Sequence, residues 1–203
     1  MAKMDKFRYY KWMHQLAAEK RREHSLITTN INLSTIRKVY KTEGIIIDSC
    51  KGKLRKLKAA YFCDDDGCSV LLNMKLPKEP RLFAMLHELK HHYVDQDNLM
   101  CCCQEVYDSS PVIEIGAEVF AAEFIFPEEE FREYVSGFLQ TSRVKAEDIV
   151  HMKYHSPAHV SYQFLQKTLE RLKYIEKGEF KNIQFMNLHA QIYGKSYYRS
   201  RRT

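Results

Sequence analysis

Pro80-Arg-Leu-Phe-Ala-Met-Leu-His-Glu-Leu-Lys-His-His-Tyr-Val94 carries the pentapeptide His87-Glu88-Leu89-Lys90-His91, an H-E-x-x-H pattern. With 9 His in 203 residues, chance supplies about 0.03 such matches in a chain of this composition. The flanking residues read as a helix: Pro80 suits the first turn, and Leu82, Leu86, Leu89 and Tyr93 repeat at core spacing. On that helix His87 and His91 lie four residues apart and share a face, so both imidazoles can reach one metal ion. Glu88 projects beside them, where it can take a proton from water at the metal. His92, a step of ~100° further round, reads as a polar surface residue rather than a ligand.

Two histidines need a third partner to hold zinc in a catalytic arrangement. The stretch Pro111-Val-Ile-Glu-Ile-Gly-Ala-Glu-Val-Phe-Ala-Ala-Glu-Phe-Ile-Phe-Pro127 is a second helical segment bracketed by prolines, apolar on most faces and therefore expected to be buried. It carries Glu114 and Glu118 one turn apart, and a carboxylate in such a setting requires a cation or a donor. Glu114 is the expected third ligand. Glu118 is expected behind it, orienting a histidine through its ring N–H. Glu123, two turns beyond Glu114, reads as a structural salt-bridge partner.

Together the segments Phe83-Ala-Met-Leu-His-Glu-Leu-Lys-His-His92 and Glu114-Ile-Gly-Ala-Glu-Val-Phe-Ala-Ala-Glu-Phe-Ile-Phe-Pro127 resemble the ImmA/IrrE family of metallopeptidases, whose pattern is an A-H-E-L-G-H helix followed by E-x-x-A-N-x-F-A-x-x-L-L-M-P. The resemblance extends over roughly residues 35 to 175. It implies an α+β, gluzincin-like peptidase fold with a short antiparallel or mixed sheet packed on the H-E-x-x-H helix. It further implies Zn2+ on His87, His91 and Glu114, with Glu88 as general base. The implied substrate is a helix-turn-helix (XRE-like) repressor of stress-response or mobile-element genes in a bacterial or phage setting. Two positions depart from the pattern. Lys90 replaces the usual Gly and is expected to reach solvent or to snorkel along its helix; Glu118 replaces Asn or Asp and adds a methylene.

The organisation expected around this core has four parts: an N-terminal helix within 1–30, a zinc metallopeptidase core over 31–140, a helix-turn-helix-like part over 141–180 and a basic tail over 181–203. Residues 4–24 read as an amphipathic helix. Ser34-Thr35 can cap a second one to about Thr42, stopped by Gly44, with a strand at Ile45–Ile47. Cys63-Asp-Asp-Asp-Gly-Cys68 reads as a hairpin turn joining strands at Ala59–Phe62 and Val70–Asn73, its tight reversal supplied by the Asp-Gly pair. Residues 145–175 read as two helices about Ser156-Pro157. His151, Tyr154, His155 and His159 cluster there, and His155 or His151 is the expected donor to the oxyanion of peptide hydrolysis.

Hydrophobic content of 45% and charged content of 29% are those of a globular domain. No apolar run of about 18 residues exists and Met1–Lys6 does not resemble a signal peptide, so a cytoplasmic protein with no membrane role is expected. The six cysteines are then expected to be reduced. C-x-x-x-x-C at Cys63 and Cys68 is a weak signal for a second zinc, and Cys101–Cys103 could be oxidation-sensitive. Of the net charge of +6, five units fall on Lys181, Lys195, Arg199, Arg201 and Arg202. With Tyr193, Tyr197 and Tyr198 between them, this tail has the composition of a nucleic-acid contact or of a solvated terminus. Two other function classes fit the same residues: a catalytically weak or inactive relative that antagonises a regulator by binding it, and a DNA-binding regulator with a structural zinc.

Overall fold

The computed structural model describes residues 5–50, 57–96, 111–139 and 143–194. They form two compact units, Met1–Pro127 and Glu128–Thr203. The fold is α+β.

In the first unit, helix α1 (Lys6–Glu23) ends before Ser25, and α2 (Leu33–Thr42) follows. The cap of α2 is Asn32, two residues ahead of the Ser34-Thr35 expected to serve: its side chain accepts from the N–H groups of Ser34 and Thr35. The Thr35 hydroxyl accepts from the Asn32 N–H in return. Gly44, at φ +71°, turns the chain out of α2 into strand β1 (Ile45–Cys50).

Strands β2 (Ala59–Asp64) and β3 (Gly67–Asn73) form the expected hairpin. Its reversal falls at Asp65 and Asp66, with the Asp64 carboxylate accepting the Asp66 N–H at 3.0 Å, and Gly67 opens β3 at φ +127°. β3 lies in the middle of a mixed sheet of order β1-β3-β2, parallel to β1 and antiparallel to β2. The register sets Ala59 opposite Leu72 and Tyr61 opposite Val70, and all four are buried. Period-2 alternation thus gives the hairpin one apolar face. Cys63 stands opposite Cys68, and the two are joined by a disulfide rather than left as the free thiols expected. Side-by-side placement across an antiparallel pair is what permits the bond.

Helix α3 (Lys78–Val94) lays Leu82, Met85, Leu86 and Leu89 onto the sheet and α2, all at most 1% exposed. Burying each contributes roughly 1.5–3 kcal/mol, enough to fix which face of α3 is left for chemistry. Tyr40 of α2 donates to the Met85 carbonyl at 2.5 Å and ties the two helices. Helix α4 (Pro111–Ile125) is buried along Gly116, Ala117, Phe120, Ala121 and Phe124 between α3 and α1. Its close approach to α1 depends on Gly116, where an added Cβ would sit 2.4 Å from the Tyr9 ring. The buried Arg21 guanidinium caps the far end by donating to the Phe124 carbonyl.

The second unit is helical: α5 (Glu128–Ser136), α6 (Ala146–His155), α7 (Tyr162–Arg171) and α8 (Phe185–Tyr193), around Phe131, Val135, Ile149, Val150, Leu165 and Leu169. α6 and α7 meet about Ser156-Pro157 as the sequence predicts. α8 corrects the reading of 181–203 as a tail. Phe185 and His189 are buried, one turn apart, so this stretch packs through its C-terminal helix and only residues 195–203 lie outside the description. At the start of α5, Glu128 accepts from Arg171 at 2.6 Å and from Arg132 at 2.7 Å. Burial raises its carboxyl pKa, but these two guanidinium groups outweigh that and hold it below the ordinary value.

Two outcomes follow from this packing. Gly116→Ala would gain about 1 kcal/mol of helix propensity on an open helix, yet the contact with Tyr9 should reverse the sign and cost ~1–3 kcal/mol, read as a lower Tm. Glu128→Gln should cost up to ~1 kcal/mol at neutral pH. Because the folded-state pKa is depressed, that stabilisation is complete above the usual carboxylate range near 4.3. It is lost as pH falls through the folded value, so wild-type and variant melting temperatures should converge in acid.

Candidate metal centre

The buried stripe of α3 leaves His87 and His91 on the side that faces α4, with ring centroids 5.1 Å apart. Glu114, in the first turn of α4, meets both. Its Oε2 is 3.2 Å from His87 Nε2 and its Oε1 is 3.7 Å from His91 Nε2. One donor atom from each of the three residues falls within a 4.8 Å cluster. A tetrahedral zinc with bonds near 2.0–2.2 Å separates its ligand atoms by roughly 3.3–3.6 Å, a spacing that fits inside this cluster. Two imidazoles and one carboxylate are also the donor set of an open, catalytic zinc site. Glu114 is partly exposed rather than buried as expected, with 35% of its side chain accessible, and His87 retains 20%. The side chains of His87 and Glu114 are thus partly open on this side, while His91 is almost fully enclosed.

Glu88 faces the sheet side of the cluster and is 8% exposed. Burial raises its pKa, and the Glu114 charge adds to the rise; His87, His91 and a hydrogen bond from the Tyr61 backbone N–H act the other way. The result is a carboxylate held by strand β2 beside the cluster with its pKa above the ordinary value, the direction that suits a general base.

Behind the ligands lies an arrangement the sequence reading did not find. Asp95, one residue past the end of α3, accepts from His91 Nδ1 at 2.8 Å. It therefore fixes the ring so that Nε2 points to the cluster. This is the service expected of Glu118, which stands one turn beyond Glu114 and is partly buried. The same Asp95 oxygen accepts from Lys90 Nζ. Lys90 neither snorkels nor reaches solvent: it is 0% exposed. Its ammonium lies 3.4 Å from the Ile113 carbonyl and 5.6 Å from the centre of the Tyr9 ring. Burial lowers the Lys90 pKa, and Asp95 opposes that fall. Asp95 in turn is raised by burial, but the bonds from His91 and Lys90 prevail and hold it below the ordinary value.

His92 also departs from expectation. It is buried, its Nδ1 lying 3.0 Å from the Tyr61 hydroxyl and its ring edge-on to Tyr61 and Tyr93. Tyr93 donates to Glu43, which also meets His24 at 2.8 Å, so this polar group ties α3 to the ends of α1 and α2. Glu123 meets His14 Nδ1 at 2.9 Å, joining α4 to α1. In the second unit, His151 Nδ1 is 2.6 Å from the Tyr193 hydroxyl, and His155 lies edge-on to Tyr154. Cys101–Cys103 lie outside the described residues, as do Lys195, Tyr197, Tyr198, Arg199, Arg201 and Arg202.

Helix-borne histidines, a carboxylate from a second helix and a buried glutamate beside them are the residue types that a metallopeptidase-type centre requires. The family model for the peptidase M78, IrrE N-terminal-like domain matches residues 42–170, well over half of the chain. The protein belongs to that family. No curated protein matches the chain.

The cluster predicts about one zinc per wild-type chain purified without chelator or added metal, measured by elemental mass spectrometry. Glu114→Ala and His91→Ala should lose most or all of it while keeping the wild-type far-ultraviolet circular dichroism.

Proposed function

We propose that this chain is a zinc-dependent endopeptidase that acts in the cytoplasm on a partner helix-turn-helix (XRE-like) repressor, cutting it and so relieving repression. The observation that supports this reading most is the buried Glu88 carboxylate standing beside three convergent ligands, within a domain of the metallopeptidase family. A zinc ion held by His87, His91 and Glu114 would supply Lewis acidity, polarising the scissile carbonyl and making water acidic enough to ionise near neutral pH.

The chain's own residues supply the rest. His91 is held in one tautomer by Asp95, so its Nε2 lone pair is directed into the cluster. Glu88 accepts the proton of the attacking water and returns it to the departing amine. Its hydrogen bond from the Tyr61 N–H fixes the carboxylate, and its raised pKa brings its proton affinity closer to that required at both steps. Glu118, one turn along α4 from Glu114, would orient a histidine of the site through its ring N–H. The exposed flank at His87 and Glu114 is where a peptide would enter. A regulatory cut needs few turnovers, so slow hydrolysis of generic peptides is consistent with this role.

The test is incubation of the purified chain with zinc and the repressor encoded beside it. The wild type should give a discrete fragment. Glu88→Gln should retain its zinc and lower the cleavage rate by about 10²–10⁴-fold. A Glu88→Gln chain that still relieves repression fully would move the function to binding without cleavage.

A further inference from the structure

Lys90 is a costly residue to place where it lies. A buried ammonium requires compensation of several kcal/mol, and a helix of this amphipathic pattern could have put it on the surface. Instead its partners are all parts of the metal site's supporting structure. Asp95, which it contacts through Oδ2, is the carboxylate bonded to His91 Nδ1. Ile113, whose carbonyl it approaches at 3.4 Å, immediately precedes Glu114. The Tyr9 ring closes the ammonium off from α1 and itself occupies the space that Gly116 leaves on α4.

We propose that Lys90 is a positioning residue for the metal centre: its ammonium joins the carboxylate that orients His91 to the backbone carbonyl just before Glu114, so that one cation sets the separation of two ligands borne on different helices. The proposal rests on the reading of His87, His91 and Glu114 as a zinc site. α3 and α4 are separated in sequence by residues 95–110, and the ligand spacing must be set by contacts across the helix pair. The apolar packing of Phe120 and Tyr93 holds the helices side by side at ring distances near 6.1 Å. Such packing tolerates small sliding movements, whereas a hydrogen-bonded charge contacting both helices does not.

Lys90 acts here in opposition to simple electrostatics. A positive charge so close to a dication should weaken metal binding, and removing it should tighten binding. Positioning predicts the reverse, so the sign of the effect separates the two. The variant is Lys90→Met, which keeps the length and apolar stem of the side chain. Zinc affinity is measured by competition with a chromogenic chelator, beside the Tm of the metal-free protein.

Lys90→Met should bind zinc about 10-fold more weakly than wild type, and Asp95→Asn about 10–100-fold more weakly. The double variant should be within about 3-fold of Asp95→Asn alone, because both changes break one linkage. Cobalt(II) in place of zinc gives a second readout: its visible absorption reports ligand geometry and should change in Lys90→Met. If Lys90→Met does not fold, Lys90→Gln makes the same measurement, keeping a neutral donor with shorter reach.

Zinc affinity equal to or tighter than wild type in the Lys90 variant overturns the proposal. So do additive losses in the double variant, or a loss of affinity that only follows the fall in Tm and leaves the cobalt spectrum unchanged. A wild-type chain that takes up no zinc overturns the site reading and this proposal together, whereas uptake by wild type with an unchanged Lys90 variant overturns this proposal alone.

Discussion

The buried apolar stripe of α3 is the constraint on which the rest of this structure depends. Leu82, Met85, Leu86 and Leu89 must face the sheet and α2, and that requirement rotates His87 and His91 towards α4. Without α4 the two imidazoles would point at solvent. With it, the first turn of a helix made almost wholly of apolar side chains delivers Glu114 between them. The depth to which α4 can settle is set in turn by Gly116 and the Tyr9 ring of α1. A hydrophobic requirement thus fixes the geometry of a polar site, and the small residues of α4 matter to chemistry they never touch.

The support behind the ligands divides into two polar groups with different duties. Asp95 and Lys90 lie behind His91 and reach α4 through the Ile113 carbonyl. Tyr61, His92, Tyr93, Glu43 and His24 lie on the sheet side, where they bind the end of α3 to β2, α2 and the end of α1. Tyr61 belongs to both the strand and the site, since its backbone N–H holds Glu88 while its hydroxyl meets His92. Buried polar groups are tolerated only when satisfied, and here the partners that satisfy them also contact His91 and Glu88.

Much of this was legible in the chain, for a physical reason. His87, Glu88 and His91 are related by helix geometry alone, so local sequence suffices to place them on one face. The hairpin and the two prolines around α4 are local signals as well. What was missed depends on contacts that spacing does not encode. Asp95 lies beyond the end of α3, where periodicity stops, and its meaning is visible only once Lys90 turns inward to meet it. His92 looked like a surface residue because its partner, Tyr61, comes from a strand some thirty positions earlier. Helix α8 was hidden by the basic composition of its surroundings, although Phe185, Leu188 and Ile192 repeat at helical spacing and were the available signal. The disulfide was missed because the expected compartment argued against it, while the cross-strand register that brings Cys63 beside Cys68 argued for it.

The account stands on a metal held by nitrogen and oxygen, in a chain that also carries six cysteines. X-ray absorption at the zinc edge of the wild-type protein tests that claim most directly. It should show a shell of imidazole nitrogen and carboxylate or water oxygen at about 2.0–2.2 Å, with the outer-shell scattering of about two imidazole rings and no sulfur. A sulfur shell at about 2.3 Å would place the metal on cysteine and contradict the assignment of His87, His91 and Glu114.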